Sequence, residues 1–147
     1  MIVRRATLED LHPLAVLFDE YRQFYGASSN LKLSYQFLKQ RFQNEESVIF
    51  IHVKDDVLTG FILLYMGFSS VACSTYYILD DVYVTPTYRR QGSAKQLIDT
   101  AILFARHANA KRISLQTEKN NYQSHQLYEQ MGFIKDDGFQ TYHCFLK

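Results

Sequence analysis

Apolar residues recur three and four positions apart in several stretches of the chain, and between these stretches lie short runs rich in β-branched and aromatic residues. Leu11, Leu14, Ala15, Phe18 and Tyr21 follow Thr7 and Asp10, a helix N-cap with its reciprocating acid, so the spacing predicts a first helix from about Leu8 to Tyr25. Ile2 to Arg4 reads as a short opening strand. Ser34 caps a second helical pattern carried by Phe37, Leu38 and Phe42. Val48 to Val53 and Gly60 to Phe68 read as strands joined through the polar turn Lys54-Asp55-Asp56, a hairpin or meander. Thr75 to Val84 is the next strand, closed by Pro86, which has no N–H for a ladder. Ala94, Leu97, Ile98, Ala101, Phe104, Ala105 and Ala108 then lay one apolar stripe along a long helix. Arg112 to Thr117 reads as a strand, Ser124 to Met131 as a helix stopped by Gly132, and Gly138 to Leu146 alternates as a last strand. The order β-α-α-β-β-β-α-β-α-β describes a mixed sheet flanked by helices, an α/β or α+β domain.

Length and charge narrow the function more than they name it. The 147 residues contain no Gly/Pro-rich linker and no repeat, so residues 1–147 are expected to form a single domain with a sizeable core. The formal net charge is +1, with lysines and arginines scattered, which argues against a nucleic-acid partner. No apolar stretch is long enough for a bilayer, and Met1-Ile2-Val3-Arg4-Arg5 lacks a signal peptide's apolar region, so a cytoplasmic protein is expected. Cys73, Cys144 and the five histidines show no metal-ligand spacing, and no metal is expected.

The segment Arg89-Arg90-Gln91-Gly92-Ser93-Ala94 stands between the β-rich run ending at Val84 and the long apolar-striped helix. A strand, a glycine turn and a helix start make an anion cradle: first-turn N–H groups have no intrahelical partner, the helix dipole is positive there, and Gly92 lets a phosphate approach the main chain. An ordinary strand-to-helix turn needs a glycine too. The pattern Gln or Arg, two residues, Gly, one residue, Gly or Ala occurs by chance in about one chain in seven of this length. What raises its weight is the segment Asn121-Tyr122-Gln123-Ser124-His125-Gln126-Leu127-Tyr128-Glu129-Gln130-Met131-Gly132-Phe133, which starts 29 residues after Gly92.

Together these segments carry a resemblance. Arg89-x-x-Gly92-x-Ala94 resembles the acyl-coenzyme A pyrophosphate loop of the GNAT superfamily of N-acetyltransferases, and Asn121-x-x-Ser124-x-x-Leu127-Tyr128-x-x-x-Gly132-Phe133 resembles its second cofactor motif. The resemblance implies a mixed, mostly antiparallel sheet of six to seven strands with about four helices, and acetyl-CoA as acyl donor. Leu79-Asp80-Asp81-Val82-Tyr83-Val84 and Asp136-Asp137-Gly138-Phe139 are similar to the spermidine/spermine and thialysine acetyltransferase branch. In that branch the first acid of the strand pair is the proposed general base, which falls here on Asp80. Asp is one methylene shorter than the branch's Glu, so a relaying water between carboxylate and amine is expected.

Amine acetylation needs a proton acceptor, because an alkyl ammonium of pKa about 10.4 is uncharged in only about one molecule in 2,500 at pH 7. Asp80 and Asp81 are neighbours on a strand and should face opposite sides unless a bulge breaks the alternation. Both are candidates for binding a cationic acceptor, or for an ordinary place on a solvent-facing strand. The resemblance makes Tyr128 the general acid, since a phenol of pKa about 10 can protonate a departing thiolate. It assigns the pantetheine arm to Asn121, with Ser124 in the same motif, and an oxyanion-binding backbone N–H to the strand end at Val82, Tyr83 and Val84. The pyrophosphate falls to the main chain of Arg90, Gln91, Gly92, Ser93, Ala94 and Lys95, with the Arg89, Arg90 and Lys95 charges beside it.

The expected partner is a small-molecule amine such as a polyamine, diamine or lysine-like amino acid, favoured by Asp80, Asp81, Asp136, Asp137 and Glu20. A protein or peptide amine is the second reading, and a CoA-binding regulatory module without turnover is the third. Phe18, Tyr21, Phe24, Tyr25 and Tyr35 could line an acceptor pocket or fill the core. A homodimer is implied by the resemblance, with Phe139 to Leu146 as a contributing segment.

Overall fold

The computed structural model describes residues 2–146. The chain packs as two compact units, one up to Gln116 and the other from Thr117 onward. The first unit holds β1 (Ile2–Arg5), a 3-10 turn (Leu8–Asp10), α1 (Leu11–Phe24), α2 (Leu31–Gln43), β2 (Ser47–Lys54), β3 (Val57–Ser69), β4 (Ser74–Val84), a second 3-10 turn (Pro86–Tyr88), α3 (Ser93–His107) and β5 (Ile113–Ser114). The second unit holds α4 (Tyr122–Gln130).

The predicted capping pair is present, with a refinement. Asp10 accepts from the Thr7 N–H at 2.8 Å, but the turn it closes is 3-10, and the α-helix starts at Leu11. Arg4 grips both oxygens of Asp10 at 2.8 Å, which holds that carboxyl down at about 2 and ties β1 to the turn. The second helix corrects the sequence reading. Its N-cap is Asn30, whose side chain accepts from the Leu33 N–H at 3.0 Å, and Ser34 lies inside the helix. Ser34 is buried because its hydroxyl donates to the buried carboxylate of Asp19 at 2.8 Å. Asp19 also accepts from the Ser29 hydroxyl at 2.7 Å and the Asn30 N–H at 2.9 Å, so one acid organises the whole α1–α2 connection. Asp19→Ala should therefore cost about 2–4 kcal/mol, since the Ser29, Asn30 and Ser34 donors, with Arg22 and Gln23 at 3.3 Å, lose their acceptor. Urea denaturation with an unchanged m-value would report it.

The sheet has the order β1-β2-β3-β4-β5, antiparallel through β4, with β5 parallel to β4 through Tyr77↔Ile113 and Ile78↔Ser114. Five strands are found among the described residues, where six to seven were expected. The Arg112 to Thr117 strand shortens to Ile113–Ser114, and Gly138 to Leu146 forms no strand. Alternation predicts a strand only when an edge pairs with it and one face is covered. Phe139, Tyr142, Phe145 and Leu146 are all exposed, so neither condition holds for that segment.

Each face of the sheet is covered. Leu14, Ala15 and Phe18 of α1 and Leu38 of α2 pack with Ile51, Phe61, Leu63 and Tyr83. On the other face α3 brings the buried Leu97, Ile98 and Ala101, with Phe104 against Phe50 and Tyr77 at 5.6 and 5.3 Å between ring centres. Two bulges interrupt the ladders. The β2–β3 register shifts at His52/Val53 and leaves Thr59 as the extra residue, and the β3–β4 register shifts at Leu63/Leu64 and leaves Asp80 as the extra residue.

Candidate active site

The β4–α3 junction is shaped by two left-handed residues. Arg90 has φ +61° and Gly92 has φ +82°, and Gly92 is the N-cap of α3. No side chain caps this helix, and a Cβ placed on Gly92 would meet nothing within 4 Å. The space beside Gly92 is thus open at the positive end of a 15-residue helix whose first turn has no side-chain cap, the chemistry that holds a phosphate. This is the fit expected of a CoA pyrophosphate.

The charged side chains there are partly committed to other contacts. Arg89 donates from Nε to the Val84 carbonyl at 2.8 Å, and its guanidinium lies 5.3 Å from the Tyr83 ring and 5.5 Å from the Phe24 ring. It fastens the C-terminal end of α1 to the end of β4. Gln91 accepts from Lys54 Nζ at 2.7 Å. Lys54 was read only as a turn residue, and its cation arrives at the loop because β2 ends two strands away from the end of β4. Ser93 is buried, Ala94 half-buried, and Arg90 and Lys95 are exposed.

β4 supplies the rest of the first unit's site. Its pairing with β5 stops at Ile78, so the edge from Leu79 to Val84, including Val82 and Tyr83, has no strand beside it on that side among the described residues. Backbone groups on such an edge can serve a ligand. The bulge separates the two acids. Asp80, the extra residue, is exposed, whereas Asp81 pairs opposite Leu63 and is 7% exposed. Burial first, then the charge of Asp80, push the Asp81 carboxyl up to about 7, against a hydrogen bond from Tyr21 that lowers it. Burial and the neighbouring Asp81 push the Tyr21 phenol well above its ordinary range, and burial together with Asp81 takes Tyr65 up to about 12. A carboxyl at about 7 takes a proton at neutral pH far better than an ordinary aspartate does. Of the two acids, Asp81 is the buried one with a raised proton affinity, and Asp80, to which the resemblance points as general base, is exposed at the bulge.

Beside Asp81 lies an aromatic and acidic margin. Tyr21 packs edge-on to Tyr25, Phe61 and Tyr83, with ring centres 5.0, 5.7 and 5.9 Å apart. Glu20 accepts from Thr85 Oγ1 at 3.2 Å and from the Tyr83 hydroxyl at 3.4 Å. Phe24 and Tyr25 are exposed, while Phe18 is buried in the core. Glu20 was a passing candidate in the sequence; its link to the β4 end is a long-range contact that no local pattern reveals.

In the second unit, Asn121 caps α4, its side chain accepting from the Ser124 N–H at 3.3 Å. Tyr128 is the one buried residue of α4 and meets Phe133 edge-on at 5.6 Å. Gly132 follows the helix at φ +94°, as its place after the apolar pattern predicted. No group of three or more His, Cys, Asp or Glu among the described residues could hold a metal ion, and no helix there is long and apolar enough to cross a membrane.

A strand with a freed edge, a left-handed glycine and a helix start without a side-chain cap make an anion cradle in a mixed α/β fold. The chain belongs to the acetyltransferase (GNAT) family, whose model matches residues 14–133. It is 41% identical over 142 residues to an uncharacterized N-acetyltransferase, YhfO, of Bacillus subtilis (strain 168), covering 97% of this chain and 95% of that one. It is also similar to the crystal structure of a probable acetyltransferase, with 39% identity, TM-score 0.95, and coverage of 100% of this chain and 99% of that one. The fold is shared with an aminoglycoside N-acetyltransferase, AAC(6')-Iy, solved in complex with CoA, at TM-score 0.82 and 20% identity over 97% of this chain and 93% of that one. The chain is an acetyltransferase of the GNAT type, a family that uses acetyl-CoA.

Proposed function

We propose that this enzyme transfers an acetyl group directly from acetyl-CoA to a primary amine of a small cationic acceptor, a diamine, polyamine or lysine-like amino acid. The observation that carries the reading is the buried Asp81 carboxyl, raised to about 7 and hydrogen-bonded to Tyr21 of α1, on the strand whose Tyr83 donates to the carboxylate of Glu20. Aromatic faces and carboxylates together favour an alkylammonium. Acetyl-CoA, when bound, supplies the thioester carbonyl. Asp81 takes the proton from the ammonium, directly or through water, and Asp80 at the exposed bulge attracts the cation. Main-chain N–H groups of Arg90 to Lys95 would hold the pyrophosphate, those at Val82 to Val84 would serve the carbonyl oxygen, Asn121 and Ser124 would serve the pantetheine arm, and Tyr128 would supply the proton that the leaving thiolate needs. The two units act as one acetyltransferase domain in this scheme. The exposed Phe139, Tyr142, Phe145 and Leu146 support a homodimer that would cover them; deleting residues 138–147 should then turn a dimeric sedimentation coefficient into a monomeric one.

The test is a thiol-release screen with acetyl-CoA against polyamines, amino acids, aminoglycosides and peptides. Small cationic amines should be turned over fastest. Turnover confined to peptides would move the acceptor to a protein amine, and CoA binding without thiol release would leave a regulatory module.

A further inference from the structure

We propose that His52, Thr59 and Gln96 form a positioning triad that clamps both ends of the segment from Thr85 to Gln96 and so sets its affinity for the phosphates of acetyl-CoA. The inference rests on reading the β4–α3 junction as the acetyl-CoA cradle.

None of the three residues belongs to the phosphate-facing loop, yet two of them are fully buried polar side chains. His52 and Thr59 are 0% exposed. Burying such groups is costly unless each is paired, and here the pairing is complete. The bulge that makes Thr59 the extra residue of β3 brings its hydroxyl to His52, where it donates to the His52 carbonyl at 3.1 Å and stands 2.7 Å from Nδ1. With its own proton spent on the carbonyl, the Thr59 oxygen accepts from Nδ1–H. The other ring nitrogen, Nε2, lies 3.0 Å from the side-chain amide of Gln96, in the first turn of α3. A ring protonated on Nδ1 alone is satisfied when Gln96 presents its NH2 end, and a ring protonated on both nitrogens when it presents its oxygen; both pairings bind Gln96 to His52.

The same bulge holds the other end of the loop. The Thr59 carbonyl accepts from the Thr85 N–H at 2.9 Å, the first residue after β4, and Gln96 N–H in turn bonds the Gly92 carbonyl at 3.0 Å. Thr85, where the chain enters the loop, and Gln96, where it leaves, are thus tied to one point. Gly60, next to Thr59 and opposite His52, allows the close approach: a Cβ there would sit 2.8 Å from the Tyr83 carbonyl oxygen and 3.3 Å from Leu97 Cδ1. Phosphate binding by main-chain amides needs those amides held to within about 0.5 Å. No side chain caps α3, so the alignment of its first turn must come from beneath.

The test compares acetyl-CoA binding and steady-state kinetics for Thr59→Val, Thr59→Ser and Gln96→Met. Thr59→Val keeps the shape and deletes the hydroxyl. Gln96→Met keeps the length on a half-buried helix position and so gives a reading even if Thr59→Val fails to fold. Both disrupting variants should raise the Kd and KM for acetyl-CoA about tenfold, with kcat at saturating acetyl-CoA changed less than threefold, and Thr59→Ser should stay within twofold of wild type. A folded Gln96→Met that binds acetyl-CoA as wild type does, or a loss confined to kcat, would overturn the triad's role. Wild-type protein that itself binds no CoA would instead overturn the reading of the cradle on which the triad depends.

Discussion

Asp81→Asn is expected to lower kcat/KM for amine acetylation about a thousandfold at neutral pH, within the range of a lost general base. Acetyl-CoA affinity should remain near wild type, because the amides that would hold the phosphates lie beyond β4. The wild-type kcat/KM should climb through a step near pH 7 as Asp81 ionises, and that step should vanish in the variant. Stability should move in the opposite direction. The folded state raises the proton affinity of Asp81, so its stabilising contribution is complete below the ordinary carboxyl pKa and is lost as pH rises through about 7. Asn cannot ionise and escapes that loss. Asp81→Asn should therefore be more stable than wild type by about 1–4 kcal/mol at pH 8 and nearly equal to it at pH 4, measured by urea denaturation at the two pH values. Asp80→Asn, by contrast, removes an exposed charge and should change kcat by less than about fivefold. If Asp80→Asn were the inactive variant and Asp81→Asn the active one, the base would be Asp80.

Tyr128→Phe is expected to lower kcat about a hundredfold, with the Kd for acetyl-CoA nearly unchanged. The ring and its edge contact with Phe133 survive the change, so packing around α4 is kept and the difference reports the hydroxyl. Slow acetyl thioesters that release a poor leaving thiol should be hit hardest, whereas an activated thioester with an acidic thiol should regain much of the rate. Turnover equal to wild type would remove Tyr128 from the chemistry.

Elements whose signal is local were legible in the sequence. The apolar stripes of α1 and α3 and the Thr7–Asp10 pair reflect chemistry within one or two turns, and the structure reproduces them with ends shifted by a few residues. Ser34 misled because Ser and Asn cap helices equally well, and the choice was made by Asp19, a buried acid 15 residues earlier that claims the Ser34 hydroxyl. Strict alternation put Asp80 and Asp81 on opposite faces and could not say which was buried. The bulge decides that, and a bulge is a property of cross-strand register. Lys54 beside Gln91 and His52 beside Gln96 were invisible for a similar reason, being contacts across 37 and 44 residues. Gly138 to Leu146 had the right alternation and lacked a partner strand.

Acetyl transfer to a cationic amine is tested most directly by one competition: wild-type enzyme, limiting acetyl-CoA, and equal concentrations of 1,4-diaminobutane, butylamine and a short peptide with a free N-terminus, with products counted by mass spectrometry. Butylamine shares the reacting amine and the chain length of the diamine but lacks its second charge, so the ratio isolates recognition of a cation. Monoacetylated diamine should exceed acetylated butylamine and acetylated peptide each by at least about tenfold, as a single charge-assisted contact in a partly buried site would give. Equal yields of the two alkyl amines, or a predominance of acetylated peptide, would contradict a cationic small-molecule acceptor.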